Sequence, residues 1–130
     1  RAFAVFCGGN ERSEQRIFAC EKIQNCIAAE PLYVAGSAMA CSAINAAYGK
    51  AITVKTGAEG VYSAAFNELS LGAMIKVRDG NRRGAEVAIG AVIETFGYPR
   101  KQSLKDFFRP KLKNWAGDVV GDIKFEGLDI

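Results

Sequence analysis

The strongest constraint on the fold of this chain comes from three predicted strands that follow one another with very short connections. The strands are predicted at Ala51 to Thr56, Gly60 to Phe66 and Leu71 to Val77, where β-branched and other apolar residues are frequent. The four residues Asn67-Glu68-Leu69-Ser70 have the composition of a hairpin loop. Because such short connections join antiparallel strands, the sequence predicts an antiparallel sheet of three strands.

Helical patterns precede these strands. The segment before Gly8 is predicted to be helical, and a second helix is expected to end at Pro31. The apolar face of this second helix consists of Ile17, Cys20, Ile23 and Ile27. A third helix, from Ala38 to Ala47, is so rich in alanine that it is expected to pack very closely against a neighbour.

A long helix is predicted from Arg82 to Thr95, and Asp79 is expected to cap it and hold the preceding turn. Beyond it, the run from Ser103 to Asp106 has the form of a capping box for a short helix. Residues Val119 to Phe125 are predicted to form a last strand, at the edge of the sheet or paired with a partner. The predicted fold class is α+β: an antiparallel sheet flanked by helices, in a single domain over residues 1–130.

The composition excludes several kinds of catalysis. The 130 residues contain no histidine, so this chain cannot supply a Ser-His-Asp triad, a Cys-His pair or a histidine-ligated zinc. None of its four cysteines forms a C-x-x-C pair. We therefore predict no metal and no cofactor, and we expect reduced thiols in a cytoplasmic protein.

The charge pattern gives little sign of a macromolecular partner. The formal net charge is +3, and basic residues gather between Arg100 and Lys113 without regularly spaced aromatic residues or a nucleic-acid motif. These residues therefore predict a solvated surface, with no nucleic acid as partner. No apolar run approaches the roughly 20 residues that cross a bilayer, so no membrane partner is expected either.

The best candidate for chemistry is the lysine at the end of the first predicted strand. Lys55 is followed by Thr56 and Gly57, and the glycine would allow a substrate to approach the backbone. A lysine in a partly desolvated site can take a proton from a hydroxyl group, and it commonly does so in serine enzymes that lack histidine. The alternative is a strand lysine that faces solvent.

Two blocks of this sequence resemble the bacterial L-asparaginase II family. The first block is Lys55-Thr56-Gly57-Ala58-Glu59-Gly60-Val61. The second block contains, at matching spacing, Gly72, Lys76, Asp79, Gly80, Arg82 or Arg83, Glu86, Val87 and Ala88. The resemblance extends from about Arg16 to Lys124. It implies a fold related to the serine-dependent glutaminases and β-lactamases.

The resemblance implies hydrolysis of the side-chain amide of asparagine to aspartate and ammonia by a serine nucleophile that a lysine activates. Lys55 would be that lysine, and Thr56, Gly57 and Ala58 would line the substrate cleft. Glu59 would hold either the ammonium group of Lys55 or the amino group of the substrate, or it is a surface carboxylate that stabilises the turn. Glutamine or a related amide is an equally possible substrate.

One departure from the family pattern affects the catalytic interpretation. The chain contains no Ser-x-x-Lys motif, which carries the nucleophile in the N-terminal half of the family's members. We therefore expect this chain to be the C-terminal segment of a larger amidohydrolase, inactive alone, with the upstream half and other copies of itself as partners. The alternative is a binding or oligomerisation module on the same scaffold, in which Lys55 is an electrostatic contact.

Overall fold

A computed structural model describes Phe6 and residues 13–127. The helices are α1 (Glu14–Ala29), α2 (Leu32–Ala35), α3 (Ala40–Tyr48), α4 (Arg82–Thr95) and α5 (Lys105–Phe108). The strands are β1 (Ile52–Gly57), β2 (Val61–Phe66), β3 (Leu71–Lys76), β4 (Lys111–Lys113) and β5 (Val119–Asp122). The predicted α+β fold class is confirmed. The helix predicted before Gly8 lies, apart from Phe6, outside the described residues.

Strands β1, β2 and β3 form the predicted antiparallel sheet, in that order. Directly opposite residues share one face of the sheet, so the register determines which side chains meet. Val54 pairs with Ala64, which in turn pairs with Ala73, and these residues belong to the face that carries the core. Lys55 pairs with Ser63 on the other face. The alternation along β1 thus separates core residues from the candidate lysine.

The core lies between this sheet and the helices α3 and α4. Its largest fully buried apolar side chains are those of Tyr62, Phe66, Ile44, Ile52, Ile89, Ile93, Leu104 and Val54. Helix α3 contributes Ala40 and Cys41, each only 1% exposed, whose small side chains allow a close approach to the sheet. The prediction that the alanine-rich helix packs closely is therefore correct. No helix in the described part of the chain is both long and apolar enough to span a membrane.

Helix α3 also binds the outer edge of β1 through two side chains one helical turn apart. The side-chain amide of Asn45 donates to the carbonyl oxygen of Val54 at 3.1 Å, and its carbonyl oxygen accepts from the amide of Val54 at 2.9 Å. The thiol sulfur of Cys41 accepts a hydrogen bond from the amide of Thr56 at 3.0 Å. Because β1 lies at the edge of the sheet, these side chains satisfy backbone groups that no neighbouring strand reaches.

Helices α4 and α5 meet at a glycine. A β-carbon at Gly90 would lie 2.4 Å from Cγ of Phe108, whose ring packs directly on the helix backbone. Phe108 is only 5% exposed, so neighbouring residues pack against most of its ring. Gly90 is therefore required by close packing between the two helices.

We predict that Gly90→Ala lowers the free energy of unfolding by about 1–3 kcal/mol, because the added methyl group overlaps the Phe108 ring and forces the two helices apart. Gly84→Ala in the same helix is the matched control. A β-carbon there would lie 3.6 Å from the nearest side-chain atom, of Val77, so this variant should be stabilised by ~0.5 kcal/mol through helix propensity. Chemical denaturation measures the free energy of unfolding of each variant. Equal effects of the two variants would contradict this account of Gly90.

Two details of the predicted elements are wrong, and one short helix was not predicted. Asp79 holds the turn, since its carboxylate accepts from the amide of Asn81 at 2.9 Å, but Asn81 caps α4 by accepting from the amide of Arg83 at 3.1 Å. Ser103 lies inside a 3₁₀ turn and caps nothing, because α5 begins only at Lys105 without a side-chain cap. Pro31 ends α1 as predicted, yet a further short helix, α2, begins immediately after it.

The last strand is shorter than predicted and lies in a separate hairpin. Strand β5 ends at Asp122 and pairs antiparallel with β4, with Leu112 opposite Gly121. The predicted place at the edge of the main sheet is therefore wrong, since β4 and β5 form a sheet of their own. The hairpin follows α5 directly and lies beside the outer side of α4, where both contribute to one cavity.

Candidate active site

Lys55 lies near the end of β1 on the face of the sheet away from the core. Its side chain is exposed, and its ammonium group donates a hydrogen bond to the carbonyl oxygen of Thr56 at 2.9 Å. Ser63 is the residue opposite on β2, which makes it the described serine nearest to Lys55 in the sheet register. The structure thus presents the lysine at the surface, beside a strand end.

A tight turn follows the lysine and connects β1 to β2. Gly57 ends β1, and the turn residues Glu59 and Gly60 both have positive φ angles, of 57° and 68°. A β-carbon at Gly60 would lie only 2.2 Å from a methyl group of Val77. Gly60 therefore permits both the left-handed backbone and the close approach of the segment after β3. Glu59 adopts a conformation that is uncommon for a residue with a side chain.

Lys76 fixes this turn from the neighbouring part of the sheet. The ammonium group of Lys76 donates to the carbonyl oxygen of Glu59. The amide of Val77 donates to the carbonyl oxygen of Gly60 at 3.0 Å. The carboxylate of Glu59 is left exposed and forms no ion pair within 4 Å with Lys55 or with any other described cation. Of the two binding roles predicted for Glu59, contact with the Lys55 ammonium is thus not made in this structure.

Thr56 connects the exposed turn to the protein interior. Its hydroxyl group lies within hydrogen-bonding distance of the carbonyl oxygens of Val61 (3.2 Å) and Gly57 (3.3 Å), which closes the base of the turn. Its amide donates to Cys41 on α3. The backbone beside Lys55 is therefore held from both sides.

A buried polar cluster lies behind Thr56, and the sequence analysis did not identify it. The Tyr62 hydroxyl is buried beside Cys41 without a well-formed hydrogen bond to any described residue, and burial raises the pKa of Tyr62. Glu86 on α4 is 7% exposed, and burial raises its pKa although Arg82 forms an ion pair with it at 3.3 Å. Arg82 also donates to the sulfur of Met39 at 3.1 Å. Tyr62 and Glu86 are therefore polar groups held close to the strand end.

The only sequence signal for this cluster is the spacing of Cys41 and Asn45. Cys41 and Asn45 can both form hydrogen bonds, and their separation of four positions in an alanine-rich helix places them on one face, which indicates a face that meets polar groups. The predicted site residues Lys55, Thr56, Gly57, Ala58 and Glu59 lie together because they are consecutive. Among the described residues, no three or more Cys, Asp or Glu side chains form a group that could hold a metal ion.

A comparison with protein-family models relates this geometry to a known class of enzyme. Residues 1–125 match the L-asparaginase II family. Since the match covers nearly all of the 130 residues, the chain belongs to the L-asparaginase II family. Its function is accordingly asparaginase-like, an amidohydrolase activity with an amino acid as substrate. A search of curated proteins finds no match.

Proposed function

We propose that this chain is the C-terminal, lysine-bearing segment of an asparaginase. In the complete enzyme, a serine outside these residues attacks the side-chain amide carbon of asparagine or glutamine. The observation that carries the proposal is the exposed ammonium group of Lys55, beside a rigid glycine turn, in a chain of the L-asparaginase II family. The absence of a Ser-x-x-Lys motif from the 130 residues supports a nucleophile elsewhere.

In this proposal Lys55 transfers protons. The serine hydroxyl gives its proton to the amine of Lys55 while the serine oxygen bonds to the amide carbon. The proton then passes to the leaving nitrogen, ammonia departs, and water hydrolyses the serine ester to release aspartate or glutamate. The ammonium group of Lys55 now donates to an exposed carbonyl oxygen, so rotation of the side chain breaks this contact at little cost. The ammonium must then give one proton to solvent or to the upstream half of the enzyme before its amine accepts the proton of the serine.

The turn after Lys55 is proposed to form one wall of the substrate cleft. Thr56 and Gly57 offer a backbone that is held in position by Cys41 and by the contacts within the turn. Ala58 is small and exposed, which leaves room for a ligand. The carboxylate of Glu59, which forms no ion pair with a described cation, suits the α-amino group of an amino-acid substrate because the two charges are opposite.

The remaining proposals concern the partners, the overall fold and the cellular location of the intact protein. Exposed apolar side chains on α1 and β3 favour contact with the upstream half of the enzyme or with a second copy; they are Ile17 (43%), Phe18 (63%), Ile23 (50%) and Met74 (68%). We further propose that the intact protein has a fold related to the glutaminases and β-lactamases and that it works in the cytoplasm. The chain is proposed to form a single structural unit of that enzyme.

We predict that the purified 130-residue chain releases no ammonia from asparagine or glutamine above the uncatalysed background. A longer protein from the same gene, if it supplies a Ser-x-x-Lys motif, should release ammonia, and replacing that serine by alanine should abolish the activity. A coupled ammonia assay measures each protein, and circular dichroism verifies that the chain used is folded.

Turnover by the 130-residue chain that persists through a second purification would contradict the proposed position of the nucleophile. Ser63→Ala is the variant that decides this case, because Ser63 faces Lys55 across the strand pair. If Ser63→Ala abolished such turnover, Ser63 of this chain would be assigned as the nucleophile. Ser70→Ala, in the loop between β2 and β3, is the matched control and should leave the turnover unchanged.

A further inference from the structure

A cavity of about 700 Å³ lies on the outer side of α4, between that helix, α5 and the β4–β5 hairpin. Its lining follows α4 from Val87 to Thr95, whereas the Lys55 site meets α4 at Arg82 and Glu86. The cavity is therefore distinct from the proposed active site. Its volume is in the range of pockets that bind small organic molecules.

The floor of this cavity is apolar. Val87, Gly90 and Ala91 on one face of α4 and the ring of Phe108 form it, and Phe125 from the segment after β5 adds a second ring. Gly90 brings the Phe108 ring against the helix backbone, so the floor is closely packed and fixed in shape. Such a surface favours the apolar body of a ligand over a fully hydrated ion.

The rim of the cavity carries an excess of positive charge. Four cations line it (Lys105, Arg109, Lys111 and Lys124), against two carboxylates (Glu94 and Asp122). An anion at this rim therefore meets a net attractive field.

Both carboxylates already have cationic partners. Arg100 donates two hydrogen bonds to Glu94, which lower the pKa of Glu94, and Arg109 adds a smaller effect from nearby. Asp122 is paired with Lys111 at 3.2 Å and with Lys124 at 3.5 Å. Both carboxylates are therefore already paired with cations. These cations reduce the repulsion between the two carboxylates and an incoming anion.

Lys105 and Arg109 form no ion pair with any described residue. They lie one helical turn apart, since the amide of Arg109 donates to the carbonyl oxygen of Lys105 at 2.8 Å. Two cations at this spacing can contact one anionic head group together, and guanidinium groups match the oxygen atoms of carboxylates and phosphates. They supply the charge recognition that the apolar floor lacks.

We propose that this cavity is a binding site for a small organic anion with an apolar, preferably aromatic, body and a carboxylate or phosphate head group. The body packs on the floor between the rings of Phe108 and Phe125, and the head group contacts Lys105 and Arg109. The site is independent of the proposed amide hydrolysis. Its ligand would contact α4 between Val87 and Thr95.

The test is a titration of the isotopically labelled chain, followed by its backbone amide signals, with phenyl phosphate, benzoate and inorganic phosphate as probes. At least one aromatic anion should bind saturably in the millimolar range or below, with the largest shifts around Gly90 and Phe108. The aromatic anion that binds more tightly identifies the preferred head group. Inorganic phosphate should bind more weakly than phenyl phosphate, because it leaves the apolar floor uncovered.

The double variant Lys105→Gln/Arg109→Gln should bind the better probe at least ~10-fold more weakly, the effect expected from losing a charge-assisted hydrogen bond. Lys50→Gln/Lys113→Gln removes the same charge from exposed positions that do not line the cavity and should bind normally. Equal weakening in both variants, or unchanged binding in the first, would overturn the proposal. So would the absence of saturable binding by either aromatic anion, or binding of inorganic phosphate as tight as that of phenyl phosphate.

Discussion

Replacing Lys55 by methionine in the complete enzyme is expected to reduce kcat by ~10²–10⁴-fold, because a positioned proton acceptor typically contributes that much to a reaction. The two side chains have similar length, so the strand loses an amine and little packing. The side chain of Lys55 is exposed, and its single hydrogen bond goes to an exposed carbonyl oxygen. Steady-state ammonia release from asparagine measures the change.

Two controls separate catalysis from folding in this experiment. Lys50→Met removes an exposed lysine just before β1 and should leave kcat near the value of the unchanged enzyme. The thermal midpoint of Lys55→Met should also match that of the unchanged enzyme, since no core contact is lost. If the Lys55→Met enzyme kept most of its activity, Lys55 would have no catalytic role, and the proposed proton transfer by this lysine would be wrong.

Replacing Asn45 by alanine is expected to cause a large loss of stability, about 2–5 kcal/mol in the free energy of unfolding. Asn45 is fully buried and supplies both hydrogen bonds of Val54 at the edge of the sheet. Alanine leaves a backbone amide and a carbonyl group buried without partners, and each unsatisfied group costs about 1–3 kcal/mol. Urea denaturation of the isolated chain measures the difference.

Asn25→Ala is the matched control for this prediction. Asn25 lies exposed in the middle of α1, so the same substitution changes helix propensity there without breaking a buried hydrogen bond. Its free energy of unfolding should equal or slightly exceed that of the unchanged chain. If Asn45→Ala and Asn25→Ala had the same effect, the link between α3 and β1 would contribute nothing to stability, and our account of the β1 edge would be wrong.

The main elements of the fold could be predicted because each has a strong local pattern. The strands β1 to β3 are rich in β-branched or apolar residues, and the loop from Asn67 to Ser70 leaves no alternative to antiparallel pairing. Helix α4 extends from Arg82 to Thr95, in agreement with its approximate predicted limits. For these elements, local preference and tertiary packing favour the same structure.

The elements that were missed have weak local patterns. Strand β4 has only three residues, two of them lysines, and it forms because β5 returns beside it. Ser103 has the right residue type and spacing for a cap, but the 3₁₀ turn in which it lies shifts the start of α5 by one position. Such details depend on contacts between segments, which periodicity along the chain does not contain.

The candidate site could be predicted only in part, for the same reason. Lys55 and the turn after it are consecutive residues, so their sequence alone indicates a strand end with an exposed lysine. The contacts that fix the strand connect residues 9 and 15 positions apart, from Val54 to Asn45 and from Thr56 to Cys41. No turn or helix rule relates residues at those separations, and the cluster around Tyr62 follows from the packing of α3 and α4 on the sheet.

The contact between Gly90 and Phe108 has a consequence for the evolution of related chains. The backbone of α4 and the aromatic ring already occupy all the space between them, so neither position is free to vary alone. A lineage that acquires any side chain at position 90 must first, or at the same time, lose the aromatic ring at position 108. Substitutions at these two positions, 18 residues apart in sequence, should therefore be inherited together.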